Sequence, residues 1–164
     1  MKTISTNLYE FKELSPEAQQ KAIDKYRDFN TDYEWWEYIY DDAKEIGLKI
    51  NGFNEYHVEA KFIDYAIDVA NSIIKSHGEH CETYKTATNY IEKYKACRIE
   101  YEAEEHDDEI DTEDIDREFL KSLSEDYRMI LSKEYEYLTS DEAIKETLIA
   151  NEYYFTENGD IYHG

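Results

Sequence analysis

Apolar positions recur at helical spacing over most of the chain and alternate with polar ones only in a few short stretches. Residues 3–11 alternate loosely, with Ile4, Leu8, Tyr9 and Phe11 among polar neighbours, which predicts a short N-terminal strand. Leu14-Ser15-Pro16-Glu17 is a helix start, with Ser15 as N-cap, Pro16 at the first helical position and an acid in the first turn. Ala18, Ala22, Ile23, Tyr26 and Phe29 give this helix an apolar face to about residue 29, where Asn30-Thr31-Asp32 breaks it. A second helix is predicted from Tyr33 to Ile46. In it Trp36, Ile39, Ala43 and Ile46, spaced by 3, 4 and 3, form a core stripe. Glu34, Glu37, Asp41 and Glu45, spaced by 3, 4 and 4, form a carboxylate ladder on another face. Gly47 is its C-terminal cap.

Leu48 to Ile50 reads as a strand, Asn51-Gly52 as a hairpin turn, and about Glu55 to Ile63 as the returning strand. Asp64 to Ser76 is helical and ends at Gly78. Glu79 to about Glu105 is a long tyrosine-rich helical pattern. Thr112-Glu113-Asp114-Ile115 opens another helix, with Ile115, Phe119, Leu123, Tyr127, Ile130 and Leu131 on one face. Thr139-Ser140-Asp141-Glu142 opens a last short helix to Ala150. Tyr153 to Tyr162, with Asn158-Gly159 in the middle, reads as a closing hairpin. The expected fold is α+β: one mostly helical domain spanning residues 1–164, with a small antiparallel sheet from the N-terminal strand, a hairpin near 48–63 and a C-terminal hairpin near 153–162.

Charge changes this picture most. The 164 residues carry 40 Asp+Glu against 18 Lys+Arg, a net charge of −22. Such a balance repels nucleic acid and anionic membrane and favours a basic partner or a cation. It also raises the question of disorder, but 15% aromatic residues, 17 of them Tyr, argue for a folded chain. One Pro and five Gly leave no linker. The two cysteines, Cys81 and Cys97, are no disulfide framework. With no signal-like run and no stretch near 18 apolar residues, a cytosolic location is expected.

The charge concentrates between Glu100 and Glu118. Glu100, Glu102, Glu104, Glu105, Asp107, Asp108, Glu109, Asp111, Glu113, Asp114, Asp116 and Glu118 face one cation, Arg117. The run reads either as a solvated helix end or as a surface imitating a nucleic-acid backbone. Carboxylates at i and i+4 on a helix lie ~6 Å apart along the axis, on the scale of phosphates repeating about every 3.4 Å per strand. Glu102, Glu105 and Glu109 would make a second ladder if the preceding helix reached that far. Tyr33, Tyr38, Tyr40, Tyr101, Tyr135 and Tyr137 sit beside acids; exposed rings there would stack on guanidinium groups while the carboxylates pair with them. The residues expected at a partner surface are the Glu34–Glu45 ladder, the acids from Glu100 to Asp114, Tyr38 and Tyr101.

Other chemistry is weakly supported. Asp107, Glu109, Asp111 and Glu118 occupy positions 1, 3, 5 and 12 of a calcium-loop pattern, but Thr112 stands where that loop needs glycine. His77, His80, Cys81 and Cys97 could supply zinc ligands, at spacings that fit no standard signature. There is no phosphate-cradling glycine loop; Ser/His/Asp or Cys/His partners need only meet in space, so spacing does not decide on them, and with 40 carboxylates a pair at acid/base distance is expected by chance. We therefore expect no enzyme, no cofactor and no resident metal.

Residues 8–50 and the Ala150-Asn151-Glu152-Tyr153-x-Phe155-Thr156-x-Asn158-Gly159 patch carry a resemblance. The shared features are the Leu14-Ser15-x-Glu17-Ala18-Gln19 start, the Asp32-Tyr33-x-Trp35-Trp36-Glu37 stretch and the Asp42-Ala43-Lys44-Glu45-Ile46-Gly47-Leu48 close. The chain resembles small acidic bacteriophage proteins, a group that includes anti-CRISPR and antirestriction inhibitors acting as nucleic-acid mimics. That resemblance implies a phage protein acting in the host cytoplasm. It would inhibit a host defence complex, such as a CRISPR effector, by filling its basic DNA/RNA groove. An interaction or assembly module whose acidity serves solubility, and a metal-binding enzyme or sensor, are the alternatives.

Overall fold

The computed structural model describes residues 1–3, 5–104 and 109–164. The chain is mostly helical α+β. In order it forms β1 (Tyr9–Glu10), a 3-10 turn (Phe11–Glu13), α1 (Pro16–Lys25), α2 (Glu37–Glu45), β2 (Leu48–Phe53) and β3 (Val58–Phe62). Then follow α3 (Ala66–Ser76), α4 (Glu82–Ala103), α5 (Glu113–Leu138), α6 (Asp141–Ala150) and β4 (Tyr154–Phe155). The strands make two antiparallel pairs, β1 with β4 and β2 with β3. Two compact units result: Met1–Trp35 with Lys133–Gly164, and Trp36–Ser132.

The unit made of the chain ends rests on its helix caps. Ser15 Oγ accepts from the Ala18 N–H at 3.2 Å, and Ser140 Oγ accepts from the Ala143 N–H at 3.2 Å. Phe11, Leu14, Ala18, Ala22, Ile23, Ile144, Leu148, Phe155 and Ile161 form one core cluster. Phe11 meets Phe155 edge-on at 5.8 Å. Tyr9 pairs with Phe155 and Glu10 with Tyr154, so among the described residues the N-terminal strand is Tyr9–Glu10, shorter than expected; Ile4 of the expected strand lies outside the described residues. The C-terminal turn closes where expected: Thr156 N–H donates to the Asp160 carbonyl at 2.8 Å, and Phe155 bridges Ile161. Gly159 has φ +88, and a Cβ there would lie 2.4 Å from the Ala18 carbonyl oxygen. Only glycine satisfies both the left-handed backbone and this approach to α1.

In the Trp36–Ser132 unit, α2 packs on β2 and α3 on α4. Ile39, Ala43, Ile46, Leu48, Ile50, Val58, Val69, Ile73, Leu123 and Tyr127 are buried. Phe119 stacks on Tyr90 at 4.4 Å and lies 5.4 Å from Phe62. Gly47, φ +88, ends the α2 segment as a left-handed cap.

Two expectations need correction here. Asn51-Gly52 is not the hairpin turn. Both residues lie inside β2, where the pairing slips between Ile50 and Gly52, and the chain reverses at Asn54–His57. The Asn54 carboxamide oxygen accepts from the Tyr56 and His57 N–H groups, each at 2.9 Å. The physical reason is burial. Extending β2 to Phe53 places its ring edge-on to Trp36 at 5.7 Å and to Tyr40 at 6.2 Å, packing that a turn at 51–52 would forfeit. Second, the helix expected from Tyr33 starts at Glu37. Trp35 N–H donates to the Tyr33 carbonyl at 2.8 Å, a turn rather than a helix start. Trp35 is consequently the buried tryptophan and Trp36 is half-buried.

Candidate acidic interaction surface

The ladder survives in shortened form. Ile39 and Ala43 point one face of α2 into the core, and Ile46 continues that stripe. Glu37, Asp41 and Glu45, four residues apart, occupy an exposed face. None of the three has a Lys or Arg partner among the described residues. Glu34 lies outside the helix, in the turn before it, so it is exposed but not a rung. Tyr38, 57% exposed, follows Glu37 on the same helix. Tyr33, Tyr135 and Tyr137 are also exposed, whereas Tyr40 and Tyr101 are half-buried. Burial pushes the Tyr40 hydroxyl pKa up; Tyr40 is thus a packing ring rather than the exposed contact expected of it.

The Glu100–Glu118 run divides between two helices. Glu100 and Glu102 sit in the last turns of α4, which ends at Ala103. Carboxylates are unfavourable at a helix C-terminus, where carbonyl dipoles already present negative charge. The ladder Glu102–Glu105–Glu109 is therefore not built: Glu109 is beyond the helix, and Glu105, Asp107 and Asp108 lie outside the described residues. At the start of α5 the same charge is favourable, and Glu113, Asp114 and Asp116 occupy its first turn. Asp111 Oδ1 accepts from the Glu113 N–H at 3.0 Å, and Arg117 pairs with Glu113 at 2.8 Å and Asp114 at 3.1 Å.

The run is also tied back to α4. Tyr90 Oη donates to Asp116 at 2.6 Å and Thr112 Oγ1 donates to its other oxygen at 3.0 Å. Burial first, then this carboxylate, pushes the Tyr90 hydroxyl pKa up. Lys93 pairs with Glu118 at 2.7 Å and Arg98 with Glu102 at 3.0 Å. Glu104 and Glu109 are exposed. Of the nine described carboxylates in the run, four meet Lys or Arg and two more serve the start of α5. An acidic face largely without cationic partners is thus not what this segment presents. The sequence carried the charge but not the distant partners Tyr90 and Lys93.

The calcium-loop pattern is likewise dispersed. Asp111 is engaged at a backbone N–H and Glu118 with Lys93, while Asp107 is outside the described residues. His77 belongs to a different set of polar groups. Its Nδ1 lies 2.7 Å from Thr83 Oγ1 and its buried Nε2 lies 3.6 Å from Asp42 Oδ1. The second Asp42 oxygen accepts from the fully buried Tyr127 hydroxyl at 2.8 Å. This chain of polar groups links α2, the end of α3, α4 and α5. Burial and the Asp42 carboxylate push the Tyr127 pKa up, so the hydroxyl stays protonated and donates. Sequence reasoning missed the network because its members, spread from Asp42 to Tyr127, share no local pattern; Tyr127 read only as a core position.

Among the described residues no three His, Cys, Asp or Glu side chains gather as metal ligands, and no helix is long and apolar enough to cross a membrane. No family model, curated protein or solved structure matches the chain.

Proposed function

We propose that the protein is a non-catalytic inhibitor that binds the basic nucleic-acid groove of a partner protein by negative-charge mimicry. A host defence complex such as a CRISPR effector, met in the host cytoplasm, is the partner class the phage resemblance suggests. The observation that carries this reading is the Glu37–Asp41–Glu45 ladder: three exposed carboxylates at ~6 Å intervals, without cationic partners among the described residues, on a helix fixed from behind. Charge supports it, since residues 36–132 hold 25 Asp+Glu against 11 Lys+Arg, net −14. Lys/Arg sites shaped for phosphates would accept such a ladder, and Tyr38 adds ring surface for an arginine.

The pairing within Glu100–Glu118 favours a second reading for that segment: its acids build the α5 start and keep the protein soluble. Two sets of variants separate the roles. Glu37, Asp41 and Glu45 changed together to Gln should abolish capture of a basic partner from nuclease-treated host extract. Glutamine replacement of Glu100 and Glu109, acids of the run outside the α5 start, should leave capture intact if the run takes no part in binding. Capture should also fall steeply between about 0.05 and 0.5 M salt. Retention at high salt, or an unaffected triple variant, would reject the mimicry.

A further inference from the structure

We propose that a groove within the chain-end unit is a docking site for an arginine-bearing segment of a partner protein. The groove encloses about 400 Å³ between the β1 end and the α6 end, a volume in the range of ligand pockets. Its lining is mixed, polar groups around a smaller apolar part: Phe11 and Leu148 are buried beneath it, and Ile149 is half-buried. Tyr153 and the 55%-exposed Tyr154 add two rings. Glu10, Lys12 and Glu152 stand exposed around it.

The occupant follows from that lining. An arginine lays its aliphatic stem along the half-buried Ile149, its flat guanidinium against a tyrosine face, and pairs its N–H fork with a carboxylate. Glu152 is the carboxylate we assign, since it has no ion-pair partner among the described residues. The surrounding charge has the right sign: the residues of this unit carry 15 Asp+Glu against 7 Lys+Arg, net −8. A lysine would match the charge but neither the ring face nor the fork.

The backbone at Glu152 is consistent with this role. It follows the α6 cap residue Asn151 and has φ +54, the left-handed position that ends helices and that glycine occupies at least cost. A glutamate there bears conformational strain and brings a carboxylate to the groove in return. This site does not rest on the α2 ladder, and the test keeps the two apart.

The probe is the tripeptide acetyl-Leu-Arg-Leu-amide, titrated into the ¹⁵N-labelled full chain; the control replaces Arg by citrulline, which keeps the shape and removes the charge. Saturable shifts should concentrate at the amides of Lys12, Ile149, Glu152, Tyr153 and Tyr154. The citrulline peptide should bind at least about tenfold more weakly. Glu152→Gln should weaken the arginine peptide by about the same factor and leave the citrulline peptide unchanged. Glu152→Gly should lose the arginine preference while raising the unfolding midpoint, which excludes misfolding as the cause. The triple Gln variant of the α2 ladder should titrate like the wild type. Equal affinity for both peptides, unchanged binding by Glu152→Gln, or non-saturating shifts spread over acids throughout the chain would overturn the proposal.

Discussion

The hydrogen bond from Tyr127 to Asp42 fixes the helix that carries the ladder, so removing it measures how firmly that surface is presented. Tyr127→Phe deletes one oxygen and leaves the ring in its fully buried place. Asp42 loses a donor 2.8 Å away, but its side chain is 50% exposed and water replaces the lost group. The cost should be about 1 kcal/mol, the net value of one such bond. Asp42→Ala leaves the Tyr127 hydroxyl buried without its acceptor, and takes from His77 Nε2 the oxygen at 3.6 Å. Its cost should be larger, about 2 kcal/mol, because a stranded buried donor bears its full desolvation penalty. Combining the two should cost less than the sum, since the phenylalanine has no hydroxyl left to strand. Urea denaturation gives all three values, with an unchanged m-value as the check that only stability moved. Strict additivity, or Asp42→Ala milder than Tyr127→Phe, would refute the account of the network.

Gly159→Ala should be among the most destabilising single changes in the chain-end unit, by roughly 3 kcal/mol. It combines a left-handed backbone with a Cβ 2.4 Å from the Ala18 carbonyl oxygen, an obstacle that cannot rotate away. Gly52→Ala, with nothing within 4 Å, is the control and should stay within about 0.5 kcal/mol in denaturant melts. Asp126 is half-buried on α5, and burial raises its pKa despite the hydrogen bond donated by Thr86 at 2.6 Å. The folded state therefore holds this proton to higher pH than the unfolded state, so its contribution falls as pH rises above the usual aspartate value of about 3.9. Asp126→Asn, which keeps an acceptor for Thr86, should raise stability at neutral pH and flatten the stability profile above about pH 4; a profile identical to wild type would show that Asp126 is not the group responsible.

Much of the scaffold was legible because its determinants are local. Ser15-Pro16 and Ser140-Asp141 mark helix starts through side chains that meet N–H groups three residues on. The stripe Phe119, Leu123, Tyr127 and Leu131 is buried along α5 as its spacing requires. Gly47 and Gly159 take the left-handed backbone at the ends where a helix stop and a turn were expected. Even the helix start at Glu113 follows from local capping and dipole chemistry.

What tertiary structure decided were the outcomes that depend on residues far apart in sequence. Asn51-Gly52 has the chemistry of a turn, but the edge-on packing of Phe53 against Trp36 and Tyr40 carried the strand past it. Glu34 has the spacing of a ladder rung, but the Tyr33–Trp36 turn left it off the helix. The carboxylates of Glu100–Glu118 look alike in sequence. Whether each is a binding group or a fold element depends on whether Lys93, Arg98, Tyr90 or Arg117 reaches it. The sequence by itself determined how much negative charge this protein carries; only the fold decided which of it remains unpaired and available, because pairing is a property of distance in space and not along the chain.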